Sequence, residues 1–268
     1  MAASADTLLA SNPVLSLDRW RSVTHLAPER VRERARYYTR TGRLRRLTRR
    51  LYAVVPPGAD PHHFVPDPYL VAAALRPDAI LSHHAALELL GVARSSFCWF
   101  TYLTARPRRP LKTAGMEWIA LRHPASLTRK HEVAFGLVEM DRQGTRMRVT
   151  GAERTLVDGF AALPWVGGLE EHVTSAAAFR DLDPGVLRKY LHLLERRILY
   201  AAVGWFVESH PEVCPDAQVR LSDELERHVP RQPLYLGRRT RGARLVTRWN
   251  VLVPAHLASS GDGGGQQW

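Results

Sequence analysis

Two residues, Pro28 and Gly42, constrain the N-terminal part of this chain more than any others. Proline holds φ near about −65° and lacks an amide hydrogen, so it suits the first turn of a helix and turns the residue ahead of it, Ala27, away from helical geometry. Glycine enters the left-handed region without a Cβ clash and is a common helix stop. Between them the sequence predicts a helix over Pro28–Arg40. At about 100° per residue, Val31, Ala35 and Tyr38 form its buried stripe. Glu29, Arg32, Glu33, Arg36, Tyr37 and Arg40 take the opposite arc. Upstream, in "VLSLDRWRSVTHL", Ser16 is placed to cap a shorter helix from Leu17, with Asp18 favourable against the positive end of its dipole. Downstream, "RLRRL" and "RLYAV" predict two short strands about Thr48 and Arg49. Helix, tight turn, second helix with a basic outer face and then an arginine-rich ribbon is the pattern of a winged helix-turn-helix, whose second helix enters the major groove.

The charge supports the same reading. Residues 19–50 carry twelve arginines against Glu29 and Glu33, so they hold +10 of the formal net charge of +12. The remainder is close to neutral. A field focused in this way attracts polyanions, and a double helix presents one phosphate per ~1.7 Å of axis. Arg32, Glu33 and Arg36, with Glu29 and Tyr37, are the candidates for base edges. Arginine grips guanine bidentately and glutamate accepts from cytosine, which favours G·C-containing half-sites. Arg40 shares their face. Arg43, Arg45, Arg46, Arg49 and Arg50 are the expected phosphate contacts of the wing, and Arg19 and Arg21 those of the first helix.

"PPGADPHHFVPDP", residues 56–68, is dense in turn formers and marks a domain boundary. The expected organisation is a DNA-binding domain over 1–57, a larger mixed domain over 58–258 and a disordered tail, 259–268, giving an α+β fold. In the larger domain, helices are predicted near 69–75 and 82–90. Strands follow at "FCWFTYLTA", "MEWIALR", "VAFGLVEM" and "RMRVT", separated by basic and glycine turns. Further helices are predicted near 151–162, 167–179, 184–195, 198–209 and 216–228, with closing strands at "PLYLG" and "ARLVTRWNVLVP". The longest apolar run, Ile198 to Val207, is ten residues, about half of what a bilayer span needs. The start "MAASADTLLASNPV" lacks the pattern of a signal peptide, so no membrane partner and a cytoplasmic location are expected. Cys98 and Cys214 are far apart in sequence and without metal-ligand spacing, and are expected to be buried small hydrophobes.

Three stretches in order carry a family resemblance: the segment ending in "GRLRRLTRRLYAV", then "AILSHHAALELLGV", then "GAERTLVDGFAALPWVGGLEEHV". They resemble the AbiEi family of antitoxins and transcriptional regulators from type IV toxin-antitoxin systems, across most of the chain. Arg50 departs from that pattern, standing where such proteins carry a glycine ahead of the closing Tyr-Ala-Val. The resemblance implies an N-terminal winged domain that binds inverted repeats of double-stranded promoter DNA and represses its own operon. It implies a C-terminal domain needed for antitoxin action. It also implies a nucleotidyltransferase toxin as functional partner, antagonised without a stable complex.

Enzymatic chemistry finds little support in the residues. His83, His84 and Glu88 in "SHHAALELL" are too few for a metal site, and His62 and His63 of the linker no better, so helix starts and packing are expected instead. Arg154 and Asp158 in "GAERTLVDGF" read as an i,i+4 ion pair on a helix surface, with Glu153 in capping contacts. Gly167 and Gly168 meet Glu170 and Glu171 rather than the Lys, Ser or Thr of a phosphate cradle, and read as a turn with acids against a helix dipole. GxSxG, Walker and GxGxxG motifs are absent from the sequence. The expectation is a regulator with no catalytic residue, no metal and no cofactor. Two alternatives stand beside it. One is a nuclease-like enzyme docked by its winged domain, using scattered acids such as Asp141, Glu153 and Asp158. The other is a module whose C-terminal helices bind a toxin directly.

Overall fold

The computed structural model describes residues 5–215, 218–239 and 241–258. The tail 259–268, expected to be disordered, lies outside them. The fold is α+β, in two compact units. The described parts of Met1–Leu81, Cys98–Leu121 and Glu139–Val149 form the first, and those of Ser82–Phe97, Arg122–Val138 and Thr150–Trp268 the second. The first unit therefore takes in residues on both sides of the proline-rich stretch at 56–68.

The first unit begins with α1 (Ala5–Ala10), β1 (Val14–Ser16), α2 (Leu17–Thr24), α3 (Pro28–Arg40), β2 (Leu44–Arg46) and β3 (Leu51–Val54). β3 is the centre of a three-stranded sheet, antiparallel to β2 on one side and to β1 on the other. Helix α4 (Pro68–Leu75) follows, capped by Asp67, whose side chain accepts from the amides of Tyr69 and Leu70. A six-stranded sheet comes next, built from β4 (Ile80–Leu81), β5 (Trp99–Thr104), β6 (Leu111–Thr113), β7 (Met116–Arg122), β8 (Leu137–Arg142) and β9 (Thr145–Thr150). Its order is β6-β7-β5-β4-β9-β8, with β4 antiparallel to β5 and parallel to β9.

The second unit holds α5 (His84–Leu89), α6 (Ala125–Arg129), α7 (Ala152–Ala161), α8 (Leu169–Ala176), α9 (Pro184–Leu194), α10 (Arg197–Ser209), α11 (Gln218–Glu226), β10 (Leu234–Tyr235), β11 (Ala243–Val246), β12 (Val251–Pro254) and α12 (Ala255–Ala258). Its core gathers around α10, buried from Leu199 to Val207. Gly204 on that helix admits the Trp249 indole, since a Cβ there would lie 2.0 Å from Trp249 Cζ3. No helix among the described residues is long and apolar enough to cross a membrane.

Three expectations need correction. "VAFGLVEM" is not one strand: Gly136 turns at φ 65°, and β8 begins only at Leu137 and runs on to Arg142. "ARLVTRWNVLVP" is divided by a 3-10 turn, Thr247–Trp249, and by Asn250 at φ 51°, which folds β11 back along β12. Cys98 is exposed, because it stands in the turn ahead of β5 rather than in the strand, whereas Cys214 is buried.

Candidate nucleic-acid interface

The N-terminal elements are held by a small core of Leu8, Leu9, Leu15, Trp20, Val31, Ala35, Leu44 and Tyr52. Ser16 ends β1 and caps α2, its hydroxyl accepting from the Arg19 amide at 3.1 Å. His25 closes α2 in the left-handed region at φ 54°. Val31 and Ala35 face inward from α3 and Tyr38 is half-buried, as the helical period requires. Gly42 then turns at φ 75° beneath Pro61, where a Cβ would lie 2.9 Å from the proline ring. The ribbon register opposes Leu44 to Val54, Arg45 to Ala53 and Arg46 to Tyr52.

This framework gathers six arginines around one cleft of about 470 Å³: Arg21 from α2, Arg32 and Arg36 from α3, and Arg46, Arg49 and Arg50 from the ribbon. Leu17, Pro28, Val31 and Tyr52 also line it, and Asp18 is its one acid. Arg50 pairs with Asp18, and Arg46 Nε donates to the Thr48 carbonyl at 3.1 Å. Arg32 lies 3.6 Å from Glu29 on the exposed face of α3, and Arg30 lies 3.5 Å from Glu33. Such solvent-exposed pairs are worth about 0–1 kcal/mol and yield readily to a stronger anion. Among the described residues no acid lies within ion-pair range of Arg21, Arg36 or Arg49.

The remaining candidates lie outside the cleft. Strand alternation turns Arg45 to the sheet face opposite Leu44 and Arg46, while Arg43 stands just ahead of β2. Arg45 is half-buried and donates to the Phe64 carbonyl, while Arg43 lies over the Tyr38 ring at 5.0 Å. The five ribbon arginines are thus divided: three line the cleft and two lie outside it. Arg19 is exposed on α2 but away from the cleft lining. Glu29, Glu33, Tyr37 and Arg40 are exposed along α3, with Arg40 over the Tyr37 ring at 5.9 Å. Sequence reasoning assigned Asp18 to the helix dipole and did not foresee its pairing with Arg50, 32 residues away, which has no local signal.

Chemically, the cleft concentrates positive charge and offers planar donors that match phosphate oxygens bidentately. The other clusters weighed from the sequence are built differently. His83 is buried with Nδ1 2.9 Å from Ser82 Oγ, and burial lowers its pKa below the ordinary histidine value. His84 is also buried, edge-on to Phe97 at 4.4 Å, with Glu88 and Glu171 oxygens each 3.7 Å from its ring nitrogens. Glu171 accepts from the Ser95 amide and hydroxyl and from Ser175. Burial opposes its charge, yet these bonds hold its carboxyl below the ordinary range. Among the described residues no three His, Cys, Asp or Glu side chains form a metal-holding group.

The Arg154–Asp158 pair is real but is not on a helix surface. Both side chains are buried, because the inner face of α7 carries them against α9 rather than toward solvent. Arg154 Nη1 donates to the Val133 and Phe135 carbonyls at 2.9 and 2.7 Å, and the Tyr190 hydroxyl donates to Asp158 at 2.5 Å. Glu153, one residue along, accepts from the Asp183 amide at 3.0 Å.

The fold so defined is α+β, with helices α2 and α3 and an arginine-rich ribbon at its N-terminal end. No family model matches the sequence, and no curated protein matches it either. Among solved structures the chain is similar to the crystal structure of the RV2827C protein from Mycobacterium tuberculosis, at 15% identity and a TM-score of 0.58, over 92% of this chain and 89% of that one. At that identity the likeness is one of fold.

Proposed function

We propose that this chain is a non-enzymatic, cytoplasmic transcriptional regulator that binds double-stranded DNA through a winged helix-turn-helix over residues 14–54. In this reading α3 is the recognition helix and β2–β3 the wing. The observation that carries it is the cleft: six arginines converge from both helices and the ribbon upon one surface that includes a single acid. Arg36 and Arg32 then face base edges, while Arg21, Arg46, Arg49 and Arg50 grip phosphates.

The order of motifs extends the proposal to a regulator of the AbiEi antitoxin type. It represses its own operon at promoter inverted repeats and counters a nucleotidyltransferase toxin without a stable complex. A footprint of the purified protein on the DNA upstream of its own gene tests the first part. Protection of inverted half-sites is expected, and Arg36→Ala should relax base preference at one position at a cost of ~1–3 kcal/mol. Protection without sequence preference in the wild-type protein contradicts the regulator reading. Co-expression with the product of an adjacent nucleotidyltransferase gene tests the second: growth should be restored without co-purification of the two proteins.

A further inference from the structure

A second cationic feature lies in the first unit, outside the N-terminal elements. Between β5 and β6 the chain reads "ARPRRP", residues 105–110. Its start is anchored. The Asp78 carboxylate accepts from Thr104 Oγ1 at 2.8 Å and from the Ala105 amide at 2.7 Å. Burial works against that charge, yet these bonds hold the Asp78 carboxyl below its ordinary value. Its path is restricted as well. Arg106 and Arg109 each precede a proline, which confines them to extended backbone, and Pro107 and Pro110 fix their own φ and need no amide partner. Such a loop presents side chains with less ordering cost than a flexible coil.

Arg106, Arg108 and Arg109 are exposed, and among the described residues no acid lies within ion-pair range of any of them. Three like charges within four residues repel one another in the free protein, an interaction that a polyanion reverses. The loop belongs to the same compact unit as the arginine cleft. A duplex long enough to run past the cleft offers phosphates at a constant spacing on both sides of it.

We infer that Arg106, Arg108 and Arg109 form a second contact with the duplex, on phosphates flanking the segment that α3 reads. This inference rests on the DNA-binding reading above. The test compares wild type with the triple variant Arg106→Ala/Arg108→Ala/Arg109→Ala on two duplexes of upstream promoter DNA. One covers a single protected half-site, and the other extends it by roughly 10 bp, one helical turn, on each side. On the short duplex the two proteins should bind alike. On the long duplex the wild-type slope of log K against log salt should steepen by about 2.7, three phosphates at about 0.9 each, and the variant should not follow. Across a fourfold change in salt that difference amounts to about 40-fold in affinity. A wild-type slope that is the same on both duplexes, or a triple variant that steepens equally, overturns the second contact while leaving the cleft in place. Failure of wild type to bind either duplex instead removes the DNA-binding reading and this inference with it.

Discussion

Asp18, in the first turn of α2, pairs with Arg50 at the end of the ribbon turn, so the one acid lining the cationic cleft neutralises one of its six arginines. The pair joins residues that are both about two-thirds exposed, so it adds little to stability, and its effect is on the field of the cleft. Asp18→Asn should act in two directions. Losing a carboxylate from the first turn of α2 should cost about 0.3–1 kcal/mol in urea unfolding. Freeing Arg50 and removing the one negative charge of the cleft should tighten binding to any duplex. Unchanged affinity would mean that Arg50 does not reach phosphate.

Within the second unit, Asp158 is enclosed by Arg154 and Tyr190. Removing one partner of a buried ion pair strands the other charge in a poor solvent. Asp158→Ala should therefore cost about 3–5 kcal/mol in urea unfolding. Tyr190→Phe, which leaves the ion pair intact but takes a donor from Asp158, should cost about 1–3 kcal/mol. A surface pair would lose less than 1 kcal/mol, so the unfolding midpoints separate the two situations. Loss of a Mg²⁺-dependent turnover in Asp158→Ala with the midpoint unchanged would favour the nuclease-like alternative.

His172 packs so tightly on α7 that a Cβ on Gly159 would lie 2.1 Å from its ring. Burial lowers its pKa from 6.5 to about 4, against the raising effect of its hydrogen bond to the Leu156 carbonyl. The unfolded chain therefore takes up a proton below about pH 6.5 that the folded chain refuses until about pH 4. Stability should be insensitive to this group above that window, fall through it and level off below. The total is on the order of 3 kcal/mol, of which about 2 kcal/mol is lost between pH 7 and pH 5. His83, also lowered by burial, adds in the same direction. His172→Gln keeps a donor for Leu156 and should flatten the dependence of the urea midpoint over that range. An equal dependence in wild type and variant would place the titration elsewhere.

What could be read from the sequence was what is fixed locally. Pro28, Gly42 and Ser16 each act within one or two turns of chain, and α2 and α3 begin and end where those residues dictate. The ribbon followed from its strand formers, with β2 and β3 inside the segments expected. What escaped was set by distant partners. β1 is three residues long and is a strand because it pairs with β3, and β4 is two residues long and joins β5 to β9. The same holds at the interface. Counting arginines located the cationic region, but which face each one takes depends on strand register, and register sends Arg45 to Phe64 while Arg46 stays in the cleft. Burial of Arg154 was hidden for a similar reason: i,i+4 spacing pairs it with Asp158 but does not say which side of α7 meets α9.

The salt dependence of binding to the short promoter duplex tests the cleft most directly. With Arg21, Arg46, Arg49 and Arg50 on phosphate, log K should fall against log salt with a slope of roughly −3 to −4. Arg46→Ala/Arg49→Ala should lower that magnitude by about two and weaken all sequences alike, whereas Arg43→Ala, outside the cleft lining, should leave it unchanged. A flat response in the wild-type protein, or an identical slope in the Arg46→Ala/Arg49→Ala variant, would contradict the account.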